Sequence, residues 1–262
     1  MQYRKLTCLL PWIILLVVGC NSYNVRPDMT SEERFELAKK MYDNGDYIQA
    51  KTQFKILTLN SPGLPFIDEA QFLLAESHSH LKEYILAADE YQRLTRFYPR
   101  SQWVDDAQFK IALSSYKLSP KPALDPKYTI QAVQQFQRFL EDYPNSDLVP
   151  EAEELLQECR TKLAEKEFKS AVLYRKMQNY SSALVYFDSV LDNYYDTEFV
   201  KPSLYWRGEC LLKLERYEES VNAFQTYVDR YPKDRYVARA NRHLKKLQAE
   251  ISEVQETNGT SH

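Results

Sequence analysis

The sequence repeats itself with a period of 37 residues, and this repeat limits the possible folds more than any other feature. Three sets of aromatic residues recur at that interval: Phe35, Phe72 and Phe109; Phe54 and Tyr91; Phe168 and Tyr205. Residues 66–99 show the repeated unit, which is two amphipathic segments with helical spacing, a short polar turn and a terminal proline. Because one such hairpin cannot bury its apolar face alone, the copies must stack around a continuous core.

The second half of the unit is its most regular part. It recurs as GDYIQAKTQF (45–54), KEYILAADEY (82–91), QNYSSALVYF (178–187) and ERYEESVNAF (215–224), and again at 132–144 after an insertion of eight residues, SPKPALDP. These segments fit the tetratricopeptide pattern of a small residue, a tyrosine, A-x3-F and a closing proline. We therefore predict an all-α tetratricopeptide repeat superhelix of about five helical hairpins plus a C-terminal capping helix. Five unrelated amphipathic hairpins would have to share this register by coincidence.

One segment departs from the repeat. Residues 150–177 are predicted to form a single helix about 40 Å long, which would join the first three repeats to the last two. The predicted helices are 31–44, 47–60, 67–81, 84–97, 103–118, 127–142, 150–177, 181–194, 201–214, 217–230 and 234–252. The predicted domains are the N-terminal repeats (31–149), the long helix with the last two repeats and the capping helix (150–252), and a tail (253–262) expected to be disordered because it lacks apolar periodicity.

The N-terminal segment resembles a bacterial lipoprotein signal. Arg4 and Lys5 precede an apolar run too short to span a bilayer comfortably, and the run ends in small residues directly before Cys20. This pattern predicts a signal peptide at 1–19, lipidation of Cys20 and a lipidated tether at 20–30; an ordinary signal peptide that contains a cysteine is the alternative. Acyl chains on Cys20 would give stable anchoring. Asn21, in place of an aspartate, favours the outer membrane.

Composition and motifs point away from catalysis and from nucleic acid. Glycine occurs only 5 times, and the formal net charge of −3 comes without a basic stripe that would match a phosphate backbone. The sequence has no glycine-rich phosphate loop, serine elbow or cysteine–histidine ligand set, so we predict no enzymatic activity, no metal and no cofactor. Cys159 and Cys210 are expected to be unpaired core residues, since stacked repeats place them at different heights.

Two surfaces are candidates for binding proteins. In the N-terminal half, five aromatic residues of the first helices could line a groove for a peptide that carries aromatic residues, although the same positions could equally pack in the core. They are Phe35, Tyr42, Phe72, Phe109 and Tyr116. In the C-terminal half, basic and aromatic residues suggest a polar protein interface, or else an ordinary solvated face. These are Arg175, Lys176, Tyr205, Trp206, Arg207 and Lys213.

In combination, these features resemble the BamD (ComL) family of lipoproteins of the outer-membrane β-barrel assembly machinery. The resemblance rests on the lipidation signal, the five repeats, the insertion in the third repeat, the long helix and the Y-P-x-S elements at 98–101 and 143–146, and it covers residues 20–250. Its most specific part is 142–187. One departure is Tyr195, which stands where the other repeats end in proline.

The resemblance implies a lipoprotein anchored in the outer membrane on its periplasmic side. Its C-terminal repeats would dock on a POTRA domain of a BamA-type barrel subunit, and its N-terminal repeats would receive the C-terminal signal of unfolded outer-membrane proteins. Other assembly-complex lipoproteins are further implied partners. The alternative is a periplasmic tetratricopeptide scaffold of another envelope complex, related to Tol–Pal or to the cell wall.

Overall fold

Eleven consecutive helices make up the part of the chain that the structure describes. This structure, a computed structural model, describes the backbone of residues 23–259 and the side chains of residues 23–249. The predicted signal segment, the lipidation site Cys20 and residues 260–262 lie outside it. The helices are α1 (Ser31–Asp43), α2 (Tyr47–Asn60), α3 (Ile67–His80), α4 (Tyr84–Phe97), α5 (Val104–Leu118), α6 (Lys127–Asp142), α7 (Val149–Lys176), α8 (Tyr180–Asn193), α9 (Val200–Lys213), α10 (Tyr217–Arg230) and α11 (Val237–Gly259).

Each helix packs against the next one along the chain, so the first ten form five hairpins and α11 covers the last. The repeat pattern explains the core of each hairpin. In the second hairpin, Ala75 of α3 and Ala87 of α4 are fully buried in one cluster, and the Tyr91 ring fills the space beside them. Small residues allow the two helices to approach, and the aromatic ring fills the gap that remains. The predicted all-α tetratricopeptide superhelix with a capping helix is confirmed.

The fifth hairpin differs from the others where its two helices come closest. The other four hairpins carry alanine at this position of their first helix: Ala38, Ala75, Ala112 and Ala171. In α9 the residue is Gly208, and a Cβ atom there would lie 2.8 Å from the buried ring of Phe224. Ser220 Oγ also donates a hydrogen bond of 3.0 Å to the Gly208 carbonyl. The glycine therefore permits a closer contact between α9 and α10 than alanine would.

We expect the substitution Gly208→Ala to lower the free energy of unfolding by about 1–2 kcal/mol, measured by urea denaturation. Overpacking a core costs about 1–3 kcal/mol, whereas alanine gains about 1 kcal/mol over glycine in helix propensity. The packing cost should lie near the upper end of its range, and so exceed this gain, because the Phe224 ring is held between Tyr205, at 5.9 Å, and His243, at 5.1 Å. A Gly208→Ala protein as stable as the parent would contradict this prediction.

The turns between repeats explain the Y-P-x-S elements. In three of these turns the side chain two residues after the proline accepts a hydrogen bond from the backbone N–H two residues further on, and so caps the turn. The accepting side chains are Ser101 (3.2 Å), Ser146 (3.3 Å) and Asp234 (3.0 Å). In the fourth repeat, where Tyr195 replaces the proline, the turn keeps its backbone bond from Thr197 N to the Tyr194 carbonyl (3.1 Å).

Asp234 should make this turn sensitive to acid. Its carboxylate accepts hydrogen bonds from the Tyr227 hydroxyl and the Tyr236 N–H and pairs with Lys201 at 3.0 Å, and these contacts lower its pKa to about 2. A depressed pKa contributes stability above the usual aspartate value, and this contribution disappears as the pH falls through about 2. We therefore expect Asp234→Asn to destabilise the protein at neutral pH, with a deficit that shrinks towards pH 2. Thermal unfolding of both proteins across this range measures it, and a deficit independent of pH would argue against the carboxylate.

Helix α7 is twice the length of its neighbours and belongs to the cores of both halves. At 28 residues it is about 42 Å long. Ala152 and Cys159, in its first half, are buried in the cluster formed with α5 and α6. Ala171, in its second half, is buried in the cluster formed with α8, α9 and α10. One rigid helix therefore spans both arrays.

One face of α7 holds the insertion of the third hairpin. Residues 158, 162 and 166 recur every fourth position, so their side chains lie along the same face. Each contacts the end of α5 or the insertion that follows it. The hydrogen bonds run from Tyr116 Oη to Glu158 Oε2 (2.5 Å), from Lys162 Nζ to Ser119 Oγ (2.9 Å) and from Lys166 Nζ to the Leu124 carbonyl (2.8 Å).

The opposite side of α7 holds the turn between α8 and α9. The Arg160 guanidinium donates to both carboxylate oxygens of Asp196 at 2.7 Å and to the Asn193 carbonyl at 2.9 Å. Gln157 Nε2 donates to the Asp196 carbonyl at 3.0 Å. The guanidinium also lowers the pKa of the Asp196 carboxyl group. The middle of α7 thus contacts both halves within three helical turns.

The two cysteines and the C-terminal helix differ in how closely they follow the sequence. Cys159 and Cys210 are buried and unpaired, as predicted, and burial raises the pKa of their thiols to about 11 and about 12. The sequence predicts that the last helix ends near residue 252 and that a disordered tail begins at 253, but α11 continues to Gly259. Residues 250–258 contain neither glycine nor proline, so nothing in the sequence interrupts the helix before Gly259.

Candidate protein-binding surfaces

The three phenylalanines of the proposed aromatic groove belong to the core, and the exposed-groove hypothesis is wrong for them. Phe35, Phe72 and Phe109 are 5%, 8% and 2% exposed. Each ring packs against the repeated aromatic residue of its own second helix, with centroids 5.8–6.2 Å apart. The position faces the partner helix because it lies three residues before the small residue at which the two helices cross.

The two tyrosines of the same set are half-buried and occupied by contacts within the protein. The Tyr42 hydroxyl lies 3.1 Å from His80 Nε2, and the His80 ring stacks on Tyr47 with centroids 4.2 Å apart. Tyr116 donates its hydroxyl to Glu158, and this bond is the main cause that raises its pKa to about 12. These tyrosines therefore join neighbouring helices and leave only part of each ring exposed.

A different stripe of the first helices is accessible, and we call it the first-helix face. It lies three residues before and one, four and eight residues after the repeated aromatic residue, which are neighbouring positions on one side of a helix. In the N-terminal half it consists of Glu69, Leu73, Glu76 and His80 on α3, and Asp106, Lys110, Leu113 and Lys117 on α5. The sequence contained this signal, because the stripe repeats with the same period as the core.

The first-helix face of the N-terminal half carries both charges and two leucines. Ion pairs link the first helices of successive repeats across it, from Lys39 to Glu69 at 2.7 Å and from Lys110 to Glu76 at 3.2 Å. Burial and the neighbouring Asp105 raise the pKa of the Asp106 carboxyl group. Because the ion pairs use charges from different repeats, the face offers fixed polar groups with half-buried leucines between them.

Part of the candidate interface in the C-terminal half does lie on the continuation of this face. Lys176 of α7, and Trp206 and Lys213 of α9, occupy the corresponding positions, and the Arg175 guanidinium lies 3.9 Å from the centre of a Trp206 ring. That distance is typical of a cation–π contact. Trp206 and both lysines are at least partly exposed, so a partner could reach them.

Of the other residues in that set, one is buried and one lies on a different face. Tyr205 is fully buried and stacks on Tyr236 with centroids 4.6 Å apart, so it is a core residue like its equivalents in the other repeats. Arg207 is half-buried, and its Nε donates to Asp188 of α8 at 2.5 Å, which directs it towards the second helix of the preceding hairpin. Neither residue is on the first-helix face.

The structure adds residues that sequence reasoning missed. Glu209 lies on the first-helix face next to Trp206, and it accepts the Tyr205 hydroxyl at 2.6 Å and pairs with Arg239 of α11 at 3.3 Å. His243 Nε2 lies 3.2 Å from the same carboxylate. Across residues 23–249, no group of histidine, cysteine and acidic side chains is arranged to hold a metal ion. No helix in the described part of the chain is long and apolar enough to cross a membrane.

The sequence matches the models of two known protein families. The sequence model of a family described as outer membrane lipoprotein (YfiO) matches residues 27–215, and a tetratricopeptide repeat model matches residues 203–234. The chain belongs to the YfiO family of outer membrane lipoproteins. This match confirms the predicted family, since YfiO and BamD denote the same lipoproteins. A comparison with curated protein sequences finds no match.

Solved structures similar to this YfiO-family chain are tetratricopeptide repeat proteins. The TPR2AB domain of yeast Sti1 is 14% identical, with 86% of each chain covered and a TM-score of 0.41. A thermophilic repeat protein of Thermus thermophilus, TTC0263, is 17% identical, with 82% of this chain and 99% of the other covered and a TM-score of 0.36. A repeat protein of Parabacteroides merdae is 16% identical over 88% and 80% of the chains, with a TM-score of 0.36.

Proposed function

We propose that this chain is a non-catalytic scaffold lipoprotein of the outer-membrane β-barrel assembly complex. The observation that carries the proposal is the YfiO family match over residues 27–215, which includes the first four hairpins, the long helix among them, and all of α9. The array itself supplies an extended surface and a rigid frame, which is what a scaffold needs.

The N-terminus would hold the scaffold on the membrane. In this proposal residues 1–19 are removed as a signal peptide, Cys20 carries acyl chains that anchor it to the outer membrane on the periplasmic side, and residues 20–30 form a short tether. Two or more acyl chains make such anchoring stable.

The N-terminal repeats would receive unfolded outer-membrane proteins. Strands of such proteins alternate apolar and polar side chains, and the first-helix face offers Leu73 and Leu113 between fixed charges of both signs. An extended segment could place apolar side chains on the leucines while its polar groups meet the ion pairs. The buried phenylalanines would support this face from below.

The C-terminal repeats would dock on a POTRA domain of a BamA-type barrel subunit. Trp206 and Arg175 are the residue types that most often dominate protein interfaces, and their mutual contact at 3.9 Å pre-orders them. Lys176 and Lys213 add positive charge that would steer an acidic partner surface. Other lipoproteins of the complex would bind the remaining exposed helices.

Photo-crosslinking in cells tests the proposal. A photoreactive amino acid at Leu73 or Leu113 is expected to capture unfolded outer-membrane proteins, and one at Lys176 or Lys213 a POTRA-containing barrel protein. Gln92 on α4 and Thr226 on α10 are exposed positions of second helices and provide matched controls. Capture of Tol–Pal or cell-wall proteins from all four positions, with no barrel subunit, would overturn the proposal in favour of another envelope complex.

A further inference from the structure

Exposed isoleucines occur at one repeat position in the N-terminal half. Ile48, Ile85 and Ile130 are 66%, 54% and 42% exposed, and each lies two residues before the buried alanine of its second helix. The last two hairpins carry Ser181 and Glu218 at the same position. A core role does not explain the isoleucines, because they are exposed and the same fold forms with polar residues there.

These isoleucines lie at one edge of the array. Because successive helices run in opposite directions, all turns within repeats lie at one edge and all turns between repeats at the other. Leu86 and Leu124 add two more exposed apolar side chains to the edge with the within-repeat turns. We call this set of five residues the turn edge: Ile48, Ile85, Leu86, Leu124 and Ile130.

The N-terminal chain brings the predicted lipid anchor to the same edge. Tyr23 donates its hydroxyl to Asp46 and accepts a hydrogen bond from Asn44 Nδ2 at 3.1 Å, so it is fixed to the turn that precedes Ile48. Tyr23 lies only three positions after Cys20, and three residues of chain span at most about 10 Å. An acyl chain on Cys20 therefore holds the start of α2 close to the lipid headgroups.

Two turns of this edge carry positive charge that suits an anionic lipid surface. Lys82, Lys121 and Lys127 are exposed on or next to the turns of the second and third hairpins. In these two turns Glu83 pairs with Lys51 at 2.8 Å, and Asp125 accepts the backbone N–H of Lys127 at 3.0 Å. Lysines near an anionic headgroup layer each contribute attraction that salt weakens.

We propose that the turn edge lies in the interface of the bilayer that holds the lipid anchor, with its apolar side chains among the headgroups and upper acyl chains and its lysines at anionic phosphates. This inference rests on the proposed lipidation of Cys20. Apolar residues flanked by lysines are the composition of surface-bound membrane segments. The scaffold would then have a fixed orientation beneath the membrane, with its N-terminal half closest to the lipid.

Single-cysteine labelling tests the orientation on the full mature chain purified from membranes. The variants Ile48→Cys, Ile85→Cys and Ile130→Cys each receive a fluorescent label and are reconstituted in vesicles of phosphatidylethanolamine and phosphatidylglycerol that contain lipids with a quencher on the acyl chain. Leu59→Cys and Phe97→Cys are the controls, because these residues are 60% and 59% exposed at the opposite ends of α2 and α4. The buried thiols of Cys159 and Cys210 should not compete for the label.

Labels at the three isoleucine positions are expected to be quenched several-fold more than the control labels, and less so when phosphatidylglycerol is replaced by phosphatidylcholine. Equal quenching at both edges of an acylated, membrane-bound chain would overturn the membrane orientation and leave the lipid anchor intact. A purified chain without acyl groups at Cys20, identified by mass spectrometry, would overturn the anchor and the orientation together. Quenching concentrated at positions 59 and 97 would place the opposite edge at the membrane.

Discussion

Replacing Phe109 with alanine is expected to lower the free energy of unfolding by about 3–5 kcal/mol, the usual cost of removing a buried phenylalanine. The Phe109 ring is 2% exposed and lies 5.9 Å from Phe136 and 5.6 Å from Phe139, so its removal leaves a cavity in the core shared by α5, α6 and α7. Urea denaturation followed by circular dichroism measures the change. A large loss is expected because the surrounding helices are also held by the long helix and cannot close freely around the cavity.

Phe97→Ala is the matched control. Phe97 is the same residue type in the same half of the protein, but its ring is 59% exposed at the end of α4. Surface substitutions usually change stability by less than about 0.5 kcal/mol. If Phe109→Ala lowered the free energy of unfolding no more than Phe97→Ala does, the Phe109 side chain would have to face solvent. The hypothesis of an exposed aromatic groove would then have to be reconsidered.

This stability effect changes how binding experiments on the family should be interpreted. A protein with alanine at Phe35, Phe72 and Phe109 would lose three core rings, so loss of substrate crosslinks would reflect unfolding of the N-terminal repeats. Leu73 and Leu113, one and four residues after the repeated aromatic position, are the suitable targets. Their substitution by serine removes apolar surface from the first-helix face without opening a fully buried site.

Most of the fold could be predicted because two independent periodicities in the sequence constrain it. The 37-residue period fixes where each unit begins, and the spacing of three and four within a unit fixes which residues face inward. Tyr91 shows both constraints at work, since its place in the repeat and its helical spacing independently assign it to the core, where it is fully buried. Helix boundaries followed from the prolines and the polar turns, which stop helices for local reasons.

The binding surfaces were harder to predict, because a first helix in a stacked array contacts three neighbours. It packs against its own second helix and against both adjacent repeats, so the buried and the exposed positions of the helix recur with the same period, and polar residues such as Gln71 and His78 are buried as well. Phe72 and Leu73 are adjacent in sequence, yet the phenylalanine is buried and the leucine lies on the first-helix face. The pairing of Arg160 with Asp196 was also invisible, since it joins residues 36 positions apart.

A break in the long helix α7 is expected to reduce the cooperativity of unfolding between the two halves of the array. A proline at Thr161, in the middle of α7, would remove one backbone hydrogen bond and clash with the preceding turn, at a cost of about 3 kcal/mol or more. In a repeat array, neighbouring units unfold together only while the interface between them is strong enough. We therefore expect Thr161→Pro to separate one unfolding transition into two, with the halves unfolding at different urea concentrations.

The chain offers its own probes for this experiment. Trp12 lies in the predicted signal segment, so the mature protein would keep Trp103 in the N-terminal half and Trp206 in the C-terminal half. Trp206→Phe and Trp103→Phe leave one reporter each, and their fluorescence curves should coincide in the parent and diverge when Thr161→Pro is added. Thr161→Ala is the matched control, because it removes the same side chain but favours the helix, and its two curves should still coincide. Coincident curves in the proline variant would mean that contacts outside α7 couple the unfolding of the two halves. The polar bonds that α7 makes to the insertion and to Asp196 would then not account for cooperative unfolding.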